Sequence, residues 1–117
     1  MNSLAEKIRA ARRIEVKVGK CTFIGTRATL EEAQVYKFKS QIGTLTDADI
    51  CRKHIDGWAG VRASDVLDGA PDTEIDFSKE VFSEVIGEKS EWWNAIATEI
   101  VADAIRRQDE RKENKKK

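Results

Sequence analysis

Residues 13–27 read RIEVKVGKCTFIGTR. Ile14, Val16 and Val18 alternate with Glu15 and Lys17, Gly19-Lys20 supplies a two-residue Gly-X turn, and a second β-rich run follows from Cys21 to Thr26. This pattern predicts a β-hairpin over about 13–27. With the turn at Gly19-Lys20, Val18 lies opposite Cys21, Val16 opposite Phe23 and Ile14 opposite Gly25. One face is then apolar and the other mostly polar, with Ile24 as the exception. A hairpin alone is marginal in water, so its apolar face needs helices to pack on.

The residues downstream supply them. Thr29 and Glu32 match a capping box, in which the threonine hydroxyl and the glutamate three residues on satisfy a helix's first free amides. Leu30, Val35, Phe38, Ile42 and Leu45 give apolar positions for a helix over about 30–43, ended by Gly43. Thr46 is placed to cap the next helix, over about 47–58, with Asp47 and Asp49 in its first turn and Ile50, Cys51, Ile55 and Trp58 as its apolar stripe. Ser64 is placed to cap a short turn containing Val66 and Leu67, and DGAPDTEID (68–76) is a loop holding the single proline, Pro71. Ser78 caps a helix over about 78–87, with Phe77 and Phe82 as a hydrophobic staple and Gly87 as a stop. A last helix over about 91–108 carries Trp92, Trp93, Ile96, Ala97, Ile100, Val101 and Ala104, a stripe broad enough for a core helix or a subunit contact. The expected fold is α+β: mostly α-helical, a single domain over 1–105 with an N-terminal β-hairpin on a small helix bundle. A charged tail, 106–117, follows, and mobility is expected at Lys115-Lys116-Lys117.

The chain has 117 residues, 40% apolar and 36% charged, enough for one core and one domain. No apolar run approaches the ~18 residues that span a bilayer. The opening MNSLAEKIRAARR has basic charge and an apolar spacing at Leu4 and Ile8. It lacks an apolar h-region or small-residue cleavage site, so no removed targeting peptide is expected. Cys21 and Cys51 stand apart without a CxxC pattern, as small buried groups in a reducing compartment, so neither a disulfide nor a metal site is expected. His54, the one histidine, falls a helical turn from Ile50, which suits an interior role. Net charge is zero overall, yet residues 65–91 hold nine acids against Lys79 and Lys89, while RRQDERKENKKK (106–117) holds seven basic residues and three acids. Such opposite-signed regions attract between copies and favour head-to-tail assembly, besides solvating a helix end.

Two glycines flank a tryptophan in HIDGWAGVRASDVL (54–67). Gly57 and Gly60 permit positive φ or a close approach of another segment, and Trp58 between them is an anchor wedging a junction against the core. From Gly57 to about Ile105 the order of features resembles the tail assembly chaperones of phages and prophages with long, non-contractile tails. The resemblance is carried by Trp58-Ala59-Gly60-Val61, Asp65-Val66-Leu67, the acidic Gly/Pro loop, Phe77-Ser78 at a helix start and a tryptophan-bearing last helix; the upstream strand pair adds to it. Where the family often has a proline before the Phe-Ser pair, this chain has Asp76. Lys89-Ser90 replaces the proline common before the last helix, which leaves Ser78 and Ser90 to set the helix starts.

The resemblance implies a non-enzymatic protein without cofactors, acting in the host cytoplasm and absent from the mature virion. It implies binding to the tape-measure protein, contact with the tail-tube protein and self-association into a ring or spiral. In many members a frameshift near the gene's end yields a longer product, and the terminal lysines suit slippage. A client rich in amphipathic helix calls for a repeated apolar groove. Candidate partner-binding residues are Ile24, Trp93, Ile96, Ile100 and Val101, for all of which core packing is the competing role. Gly57, Trp58, Gly60, Val61, Phe77 and Trp92 are candidate structural anchors.

Two other classes fit the sequence less well. A small nucleic-acid-binding or regulatory phage protein would use helices around Gly57 and the basic tail, but the segment 64–68 is too short and acidic to enter a groove and the acidic stretch beyond it repels DNA. An enzyme would need an acid–base pair in an apolar pocket; no nucleophile is paired with a base here, and solvated helix faces and loops account for the carboxylates.

Overall fold

The computed structural model describes residues 3–116, with side chains from 3 to 112. Its elements run α1 (Leu4–Ala11), β1 (Arg13–Val18), β2 (Cys21–Thr26), α2 (Leu30–Gln41), α3 (Asp47–His54), β3 (Ile55–Ala59), α4 (Ala63–Val66), α5 (Lys79–Val85), a 3-10 turn (Ile86–Glu88) and α6 (Ser90–Lys116). The fold is α+β and mostly helical, as the sequence predicts, with the hairpin enlarged to a three-stranded antiparallel sheet ordered β1-β2-β3. Hairpin pairing is the expected one: Val18 with Cys21, Val16 with Phe23, Ile14 with Gly25. One sheet face is buried under the helices, and Ile24 sits half-buried on the other.

The third strand is the main departure from the sequence reading, which continues α3 to Trp58. The helix stops at His54, and Ile55 and Trp58 point into the core from β3. Between Ile24 and Gly25 the pairing shifts, so that Ile24 faces Gly57 while Gly25 faces Ile55. Asp56 is thus the extra residue of a β-bulge. The bulge sets the inward residues three apart instead of two, which imitates a helical period. On the outer face Asp56 accepts two hydrogen bonds from Arg13, at 2.7 and 2.9 Å, tying β3 to β1 across β2. Lys79 Nζ donates to the carbonyls of Arg52 and Ile55, closing the end of α3.

Helix caps follow the sequence at three starts and depart from it at two. Thr29 and Glu32 form the capping box of α2, Thr46 and Asp49 form one for α3, and Ser78 accepts from the Val81 amide at the start of α5. Phe77 and Phe82 staple that start, their rings 5.9 Å apart. At α4 the residue in the cap position is Arg62, whose amide donates to Asp65, while Ser64 lies inside the helix and bonds Asp72. Ser90 is likewise the first helical residue of α6, preceded by Lys89, whose carbonyl accepts from Trp92 and Trp93. Helix α6 runs to Lys116 and holds the body at least as far as Arg107, which donates to Ala28 O at 2.6 Å. Lys117 lies outside the described residues.

The core is an aromatic cluster between the sheet's inner face and α5–α6. Phe23 meets Trp92 at 4.9 Å and Phe82 at 6.1 Å, and Trp58 meets Phe77 edge-on at 5.0 Å. The anchors Trp58, Val61 and Trp92 are buried, Phe77 half-buried. The indole of Trp58 also donates to Ile75 O at 2.9 Å, fastening the acidic loop. Gly60 has φ +77°, and a Cβ there would meet Lys20 O at 2.5 Å, so it is required. Gly57 is not: its φ is unexceptional and a Cβ would meet only Ile24 at 3.6 Å. The glycine demanded by close approach is Gly25, against whose Cβ the His54 carbonyl oxygen would stand at 2.1 Å.

Helix α2 is also turned relative to the sequence reading. Its buried residues are Ala33 and Tyr36, whereas Val35, Phe38 and Ile42 are 40%, 62% and 56% exposed. The inward face carries a hydrogen-bonded pair: the Tyr36 hydroxyl lies 2.6 Å from His54 Nε2, and His54 Nδ1 lies 2.8 Å from Thr26 O. A carbonyl only accepts, so Nδ1 carries the proton and Nε2 accepts from tyrosine.

That neutral ring makes a pH prediction. Burial lowers the His54 pKa, against the Thr26 hydrogen bond, which raises it. A pKa below the unfolded value, about 6.5, means the unfolded chain binds protons first. The contribution of His54 is therefore full above that value and is lost as pH falls through the folded pKa. The denaturation midpoint should fall between about pH 7.5 and 5.5, where unperturbed carboxylates and lysines do not titrate. In His54→Gln that slope should flatten; an unchanged slope would assign the pH dependence elsewhere.

Candidate functional site

Along α6 the residues Trp93, Ala97, Val101 and Ile105 recur every fourth position, one per helical turn, spanning ~18 Å at 1.5 Å per residue. They face α2 and α3 and floor two adjoining grooves. The larger, about 360 Å³, is lined by Tyr36 and Ser40 of α2, Ile50 of α3 and Ala97, Val101, Ala102 and Ile105 of α6, with Lys37 and Asp47 at its edge. The second, about 310 Å³, runs from Asp47 and Ala48 to Trp93, Arg52 and Gly87. Asp47 borders both, so the two grooves meet there and together are called the track along α6. Small residues at 97 and 102 leave the space, and Val101 and Ile105 flank it. The lining of the larger groove is mainly apolar, suited to the apolar stripe of an incoming helix and not to charge chemistry.

Of the five partner-binding candidates, Trp93 and Val101 line this track, both half-buried. Ile96 and Ile100 do not: each is fully buried in the core and unavailable to a partner in this fold. They lie on the inward side of α6, since Ile96 and Ile100 are one residue N-terminal to Ala97 and Val101, about 100° round the helix. Ile24 is on the far face of the sheet, apart from the groove. Tyr36, Ile50, Ala102 and Ile105 are lining residues that the sequence reading did not select; the i, i+4 series through Ala97 was the available signal.

One charged cluster on α6 is structural. Asp103, only 4% exposed, receives Arg107 at 3.1 Å, Arg27 at 3.5 Å and Arg106 at 3.6 Å, binding α6 to the exit of β2. Arg27 Nε has the ion-pair distance but not hydrogen-bond geometry, so Arg107 is the closer partner. Cys51, fully buried, has its thiol pushed up to about 12, chiefly by burial, and Cys21 is raised by the same cause; neither is a poised nucleophile. No cluster of three or more metal-ligating side chains occurs among the described residues, and no helix among them is long and apolar enough to cross a membrane.

Comparison with known proteins finds no matching family model, no similar curated protein and no similar solved structure.

Proposed function

We propose that this chain is a non-catalytic tail assembly chaperone of a phage or prophage with a long, non-contractile tail. It binds a helix of the tape-measure protein in the track along α6, with contacts to tail-tube protein and to further copies of itself, in the host cytoplasm. The observation that carries this reading is the groove between α2, α3 and α6, whose mainly apolar lining suits the apolar stripe of an amphipathic helix. The order of residues from Trp58 to the last helix supports it. Each groove offers little area, so useful affinity comes from repetition along an extended client.

The test is co-expression with the neighbouring tape-measure protein. Soluble client should depend on this chain, and Val101→Asp, which puts a charge at a half-buried groove position, should reduce soluble client at least about tenfold while the chain itself remains folded. Client solubility indifferent to the presence of this chain would remove the proposal.

A further inference from the structure

Three arginines from distant parts of the chain border one small notch. Arg12 is the C-cap of α1, Arg107 and Arg111 stand one turn apart on α6, and Ala28, Thr29 and Leu30 at the start of α2 complete the lining, around about 130 Å³. Hydrogen bonds hold the three segments together: the Arg27 amide donates to Arg12 O, and Arg107 donates to Ala28 O at 2.6 Å. Both bonds land on the short link from β2 to α2, so the notch is built into the fold.

The positive charge of this notch is not answered locally. None of its lining residues is acidic; Glu31 and Glu32, though next in sequence, are not among them. Arg12 and Arg111 make no ion pair among the described residues, and Arg107 shares Asp103 with Arg27 and Arg106. A guanidinium stays charged at any ordinary pH, so groups converging on one space repel unless an anion joins them. Arg107 commits Nε to Asp103 and Nη2 to Ala28 O, which leaves Nη1 uncommitted. The other lining groups also donate. Leu30 opens α2, so its amide has no acceptor within the helix, and the helix dipole favours negative charge at that end. Thr29 Oγ1 accepts from the Glu32 amide, which leaves the hydroxyl proton to give.

We propose that this notch binds a phosphate group, held by Arg12, Arg107 and Arg111 against the start of α2. Guanidinium forks match phosphate oxygens. Donors arriving from three separate elements suit four oxygens in a tetrahedron better than the two coplanar oxygens of a carboxylate. The space is well under the ~300 Å³ of a site that encloses a drug-sized ligand, so it takes the phosphate group and not the body of a nucleotide. An adjoining hollow shares Arg12 and carries Arg9, which gives a phosphate borne on a longer chain a basic path onward. None of the notch residues lines the client track, so this site stands independently of the function proposed above.

Amide NMR of the full chain, titrated with sodium phosphate at fixed pH and ionic strength, tests it. The Leu30 and Glu31 amides should shift and saturate with a Kd of about 1 mM or below, while sodium chloride or sodium acetate at matched ionic strength should leave them in place. Arg12→Gln and Arg111→Gln, both at exposed positions, should keep the native spectrum and each weaken phosphate binding at least about fivefold. Lys112→Gln removes the same charge next to Arg111 but outside the lining, and should change the affinity less than about twofold. Tripolyphosphate distinguishes the sources of the group: binding tighter than phosphate, and weakened by Arg9→Gln, assigns the notch to a phosphate carried on a chain, whereas equal binding assigns it to the free ion. Amides that do not saturate, acetate that binds as tightly as phosphate, or arginine variants that bind no more weakly than Lys112→Gln overturn the proposal.

Discussion

Replacing Gly25 with alanine is expected to lower stability by about 3 kcal/mol or more, at the upper end for an added methyl group, because the obstruction is backbone. The new Cβ would lie 2.1 Å from the His54 carbonyl oxygen and 3.0 Å from the Ile55 Cα. Neither atom is the end of a flexible side chain, so β3 must move away from β2 and the bulge at Asp56 must reform. Gly57→Ala, on the neighbouring strand β3, is the control: the nearest atom is 3.6 Å away, and the change should be under about 1 kcal/mol. Chemical denaturation of both variants decides the matter, and equal losses would mean that the crossing of α3 onto β2 is looser than described.

Truncating Trp58 is the second large effect. Its side chain is 8% exposed, packs edge-on against Phe77 at 5.0 Å, lies 6.3 Å from Phe82, and donates to Ile75 O. Trp58→Ala should cost about 3–5 kcal/mol through the cavity left in the aromatic cluster. Trp58→Phe keeps a ring in that space and loses the hydrogen bond, so about 1–2 kcal/mol is expected. The two variants separate packing from the fastening of the acidic loop. If the phenylalanine variant were as unstable as the alanine one, the indole's hydrogen bond would be the larger contribution; if alanine cost under about 1 kcal/mol, Trp58 would not be a core anchor.

The hairpin was legible because turn chemistry and alternation agreed: Gly19-Lys20 set the register, and every inward residue of β1 and β2 followed from it. Caps made of a hydroxyl followed by a carboxylate were legible for the same reason, being local. What failed depended on distant partners. Ile55 and Trp58 kept a helical spacing only because Asp56 bulges out, and nothing within 47–59 announces that β2 lies alongside. The inward side of α2 holds a tyrosine bonded to a histidine eighteen positions away, a partner that the apolar spacing of Val35, Phe38 and Ile42 could not reveal. Within the last helix, composition marked an apolar stripe, but only the packing of α2 and α3 divides it into inward Ile96 and Ile100 and groove-lining Trp93 and Val101.

The two sulfurs carry a practical consequence. Cys51 is fully enclosed and holds its proton far into alkaline conditions, and Cys21 is nearly as well covered. An alkylating reagent added to the native protein therefore meets almost no thiolate until the chain opens. Labelling speed at these positions is a built-in clock for opening, usable without adding any probe, and covalent dimers joined through sulfur would be a scar of molecules that had already come apart.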